Sequence, residues 1–134
     1  MQVQIAALCD SAADYNGKLC LLGVFDTIVA GKLPAVHPQC SVALRLTYRR
    51  EKEGTHSLQI SFLDAEGKAI VPPVETNFEV PVSTGVAPVA SRNLILNIQQ
   101  LPFQTEGAYS IEISIDGKQK ASLPLQVQVL PGNS

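Results

Sequence analysis

The chain holds 134 residues, 46% of them apolar and 16% charged, with a net charge of −2. That length suits one domain, large enough to bury a core without disulfides or metals. The charge excludes the clustered basic excess of nucleic-acid binders and gives no pull toward an anionic membrane surface.

From the N-terminus, MQVQIAALCDSAAD lacks a basic n-region and reaches Asp10 before any long apolar segment forms, so it does not read as a signal peptide. No stretch approaches the roughly 20 apolar residues of a membrane-spanning helix. Three cysteines (Cys9, Cys20 and Cys40) without an export signal fit a reducing cytoplasm. All three stand in apolar runs and are expected to be small core residues, not disulfide halves or nucleophiles. DSAADY (10–15) could form one helical turn at most.

The stretch NGKLCLLGVFDTIVAGKLP (16–34) follows. Asn16-Gly17 suits a tight turn with positive φ, and Gly23 inside an apolar strand marks a bulge or a close backbone approach that shifts the alternation. Asp26 is expected at an edge or facing outward, because a lone buried carboxylate costs several kcal/mol. Leu19 and Leu21 fall on one side of the strand, Cys20 and Leu22 on the other. Such a strand is either central and covered twice, or has one face against another protein.

Period-two patterning then dominates. Cys40, Val42, Leu44, Leu46 and Tyr48 alternate with polar residues, as do Leu58, Ile60 and Phe62, with the polar EKEG (51–54) between them at hairpin length. PVSTGVAP (81–88) and Pro72-Pro73 read as loops or edges. Leu94, Leu96 and Ile98, then Tyr109, Ile111, Ile113 and Ile115, then Ala121 to Val129 repeat the pattern. Glu66-Gly67 and Asp116-Gly117 add hairpin dipeptides. The expectation is a single all-β domain over 1–134, an antiparallel sandwich of about seven to nine strands, with 131–134 a polar tail.

NLILNIQQLPFQTEGAYSIEISIDG resembles the E–F corner of immunoglobulin-like sandwiches, where a Tyr opening strand F bonds back to upstream backbone. The resemblance makes Tyr109 the corner tyrosine, with its partner near Gln104 to Glu106. Ile111 stands where antibody domains place a Cys, and the chain has no Trp. Over nearly its whole length the chain also resembles an uncharacterised family of short bacterial β-sandwich proteins. These open with A-D-x-A…G-K-L-x-x-L-G-x-F-D-x-I, matched here by Gly17, Lys18, Leu19, Leu22, Gly23, Phe25, Asp26 and Ile28. Cys9 stands before Asp10 where the family pattern has Ala. The resemblance implies a fold and a bacterial cytosolic setting, and no activity.

The candidate chemistries are sparse. Asp10, Asp14 and Asp26 could offer oxygens to a hard cation, but they lack the dense D-x-D-x-D-G spacing and read first as solvated or capping residues. His37, Cys40 and His56 lack the second ligand pair a zinc site needs. No G-x-S-x-G, P-loop or G-x-G-x-x-G occurs, so no cofactor is expected. Arg45, Arg49, Arg50 and Lys52 sit among acids and read as a solvated face. The expected function is a non-enzymatic cytoplasmic module that binds a protein partner or a second copy of itself, with Leu22, Val24 and Ile28 as the candidate interface. Gly17, Gly23 and Tyr109 are the structural positions. The alternative is a ligand- or metal-binding accessory domain that uses the loops at one sandwich end.

Overall fold

The computed structural model describes residues 1–49, 53–80 and 89–131. Arg50, Glu51 and Lys52, the PVSTGVAP segment and residues 132–134 lie outside the described residues. The strands are β1 (Gln2–Tyr15), β2 (Lys18–Val24), β3 (Thr27–Ala30), β4 (Ala35–Arg49), β5 (Gly54–Leu63), β6 (Val74–Val80), β7 (Val89–Phe103), β8 (Gly107–Ile115) and β9 (Lys118–Val129). They form a four-stranded sheet in the order β2-β1-β4-β7 and a five-stranded sheet in the order β3-β9-β8-β5-β6. Residues 10–15 continue β1 and contain no helical turn.

The inward sets are those that alternate in sequence. Leu44, Leu46, Leu58, Ile60, Ile111 and Ile113 are fully buried between the sheets. At about 1.5–3 kcal/mol for each buried Leu or Ile, this seam is the main source of stability. Leu94, Leu96 and Ile98 are only half-buried, because β7 is the outer strand of its sheet.

β4 and β5 were expected to pair as a hairpin. They lie instead in different sheets, which lets both apolar faces bury against each other. True hairpin turns occur at Asn16-Gly17 and Asp116-Gly117, with φ of 50° and 81°, and 52° and 78°.

The strand arrangement is immunoglobulin-like. β1, β4 and β7 stand as A, B and E, while β9, β8, β5 and β6 stand as G, F, C and C′. The first segment crosses between sheets: after β2 the chain passes to β3, which pairs parallel with β9. β2 is an additional strand outside A.

One paired strand changes face midway. Between β4 and β7 the ladder skips Pro38 opposite Gln100, and Gln100 has a φ of 56°. Before that point Leu94, Leu96 and Ile98 point inward; after it, Leu101 and Phe103 do. A positive φ reverses the alternation without changing the register.

Candidate functional site

The N-terminal hairpin uses the same device. The β1–β2 register is constant from Cys9↔Val24 to Tyr15↔Lys18 but skips Asp10 opposite Gly23. Gly23 has a φ of +71°, and a Cβ there would stand 2.5 Å from Asp10 Oδ2. So Gly23 marks a close approach with a change of phase; the constant register rules out an inserted bulge residue.

Beyond this corner the hairpin doubles back. Arg45 lies opposite Ile5 in the β1–β4 ladder, yet its Nη1 donates to the Gly17 carbonyl at 2.9 Å. A straight strand from residue 5 to 17 would span about 40 Å. Asn93 Nδ2 also donates to Gly17 O, at 3.2 Å, and to Asp14 Oδ2, at 2.9 Å. The hairpin is therefore clamped over the outer face of the four-stranded sheet. That explains why Ala7, Cys9, Ser41 and Ala43, which point away from the sandwich core, are all buried.

This arrangement accounts for the two-sided apolarity of β2. Leu19 pairs with Asp14 and Leu21 with Ala12, so these share the face that meets the sheet, and Leu19 and Leu21 are half-buried. Cys20 and Leu22 face away and are exposed. β2 is not central; it is an edge strand. Leu22 is 70% and Val24 61% exposed. Ile28, expected beside them, is half-buried against the core because β3 sets it opposite the fully buried Val127.

The three acids do not come together. Asp10 sits at the corner over Gly23. Asp14 Oδ1 accepts from the Gly17 amide at 2.8 Å. The Asn93 amide and then the Gly17 N–H hold its carboxyl below the usual value. Asp26 is exposed where the chain changes sheets, accepting from Thr27 Oγ1 at 3.0 Å. No group of three His, Cys, Asp or Glu able to hold a metal exists among the described residues.

Cys9 and Cys40 are buried and Cys20 is exposed, which corrects the expectation that all three are core. Burial pushes the Cys40 thiol up to about 11 and raises that of Cys9 as well. His37 packs against Phe25 with ring centroids 5.5 Å apart. Far from it, His56 Nδ1 meets Asp116 Oδ2 at 2.6 Å. The Tyr109 hydroxyl donates to the Thr105 carbonyl at 2.7 Å, within the window expected of a corner tyrosine.

Sequence reasoning missed three residues. Arg45 and Asn93 read as ordinary polar positions of alternating strands, and nothing local signals that a hairpin folds onto them. Arg92 lies opposite Leu46 and so points inward, at the mouth of a groove of about 450 Å³ between β6 and β7. Its place beside NLILNI, on the apolar parity, was the available signal.

Comparison with known proteins gives low-identity structural similarity. A β-glucosidase from Listeria innocua in complex with gluconolactone superposes with a TM-score of 0.50 and 9% identity, over 93% of this chain and 17% of that one. The Pseudomonas fluorescens alkylpurine DNA glycosylase AlkC, bound to DNA containing an abasic site analog, gives 0.49 and 8%, over 95% and 30%. An immunoglobulin-like protein from Pseudomonas aeruginosa gives 0.44 and 11%, over 95% of each chain. The chain thus spans less than a third of the two enzymes. No curated protein matches it by sequence. Residues 4–128 match a family model over almost the whole sandwich, and the chain belongs to that family, the Family of unknown function (DUF6941).

Proposed function

We propose that this chain is a non-enzymatic, cytoplasmic polypeptide-binding module and that β2 is its binding edge. The observation that carries the reading is a sheet edge that no described strand covers and that also bears exposed apolar side chains. Leu22 and Val24 stand open on β2, whose one charge is Lys18 at its start. Exposed edges usually carry charge, proline or cover, because their free N–H and C=O groups recruit other strands. A second copy of the chain is the simplest partner, since closed two-fold assemblies are the commonest and two β2 strands would pair antiparallel about such an axis.

Sedimentation analysis over the micromolar range tests this. Wild type should shift from monomer to dimer with concentration, and Val24→Glu should stay monomeric. A wild type that sediments as a monomer throughout would end the self-association reading. The other reading, a ligand-binding accessory domain, is favoured by the groove between β6 and β7 at the opposite edge of the sandwich, and not by the loops at its end.

A further inference from the structure

The groove between β6 and β7 runs along the seam where the two sheets part. Its lining is mixed: Leu58 and Val74 from one sheet and Leu94, Leu96 and Ile98 from the other form an apolar stripe, with Phe78 near one end and Thr76, Asn77 and Asn97 beside it. Its volume of about 450 Å³ lies in the range of small-molecule sites. Along β7 the distance from residue 92 to 98 is about 20 Å, so the apolar stripe is long enough for an extended chain.

A cation stands at the same end as Phe78. The Arg92 guanidinium lies over the Phe78 ring, 6.0 Å from its centroid. Its Nε is buried and makes no hydrogen bond among the described residues. No carboxylate pairs with Arg92 among the described residues either. An inward charge on an outer strand discourages edge-to-edge pairing, which accounts for a charge at this place. It leaves the buried donor unsatisfied, and an unsatisfied buried donor is costly. A planar guanidinium with free donors matches a carboxylate, which it can bind through two parallel N–H···O bonds.

We infer that this groove binds an amphipathic monocarboxylate, an unbranched aliphatic chain lying along Leu94, Leu96 and Ile98 with its carboxylate on Arg92. The apolar stripe takes the chain, and the charge fixes which end goes where. The site is independent of β2, which lies at the other edge of the four-stranded sheet, so either reading can fail alone.

The test uses dodecanoate and dodecanol as probes, below the concentration at which dodecanoate forms micelles. Calorimetric titration of wild type should show saturable binding of dodecanoate at one site. Amide shifts in the NMR spectrum should move at residues 74–78 and 92–98 and not along β2. Arg92→Met keeps the apolar stem and removes the charge. It should weaken dodecanoate by about tenfold or more, the scale of a charged hydrogen bond, while changing dodecanol binding little. Absence of saturable binding to wild type, shifts confined to other surfaces, or equal dodecanoate affinity in Arg92→Met would each overturn the assignment. The wild-type shift map stands even if the variant folds poorly.

Discussion

Tyr109 reaches back four residues to Thr105, its hydroxyl 2.7 Å from that carbonyl and its ring edge-on to Phe103 at 5.0 Å. The two contacts are separable. Tyr109→Phe keeps the ring against Phe103 and loses only the hydrogen bond. The variant should be less stable by about 0.5–1.5 kcal/mol, read as a lower urea midpoint at an unchanged slope. Identical midpoints would mean that the corner bond contributes nothing net.

Gly23→Ala isolates the corner of the N-terminal hairpin. The φ of +71° disfavours any side chain by about 1–2 kcal/mol. The steric part is smaller, because Asp10 Oδ2 and Cγ, 2.5 and 2.9 Å away, can turn aside about the Cα–Cβ bond, leaving only the tight 3.2 Å contact with Asp10 Cβ, which Asp10→Ala keeps. A double-mutant cycle with Asp10→Ala should therefore return only a small fraction of the loss. Full rescue by Asp10→Ala would show that contact, not backbone conformation, selects glycine.

Asp14 sets an acid dependence. Its folded-state carboxyl is held below the ordinary value, first by Asn93 and then by the Gly17 amide. A lowered folded value means that the stabilisation is complete above about pH 4, the unfolded carboxylate range, and is lost as the pH falls through the folded value. The stability gap between wild type and Asp14→Asn should thus be widest near neutrality and narrow in acid. A gap constant across that range would remove Asp14's charge from the clamp.

Thiol labelling should separate the cysteines. In native protein at neutral pH, Cys20 should react with a maleimide promptly, because it is exposed. Cys40, raised to about 11 and buried, and Cys9, raised by burial, should react only after denaturation. Prompt modification of Cys9 would mean that the hairpin lifts from the sheet.

The fold was legible because its evidence is periodic. Cys40 to Tyr48, Leu58 to Phe62 and Tyr109 to Ile115 alternate, and each run is a strand with its apolar set inside. Tyr109 was legible because Gly-x-Tyr after a crossing loop is a local pattern. The hairpin's placement was not: Leu19, Leu21, Cys20 and Leu22 reveal that both faces are apolar, but not that one of them rests on the chain's own outer sheet face. That depends on Gly17 meeting Arg45, a contact between positions 28 apart. Arg92 was hidden for a similar reason, since its role depends on Phe78 across the seam.

Among the described residues β3 pairs with no strand but β9, in parallel, with Asp26 O accepting from Gln126 N at 2.7 Å. During synthesis, residues 27–30 have no strand partner until nearly a hundred more have emerged, since they pair with residues 126–129. Closing so long a loop is slow compared with forming the β8–β9 hairpin. The five-stranded sheet therefore completes late, and the N-terminal segment waits on the ribosome with its edge open. That interval is when an unguarded strand most needs a chaperone or a companion chain.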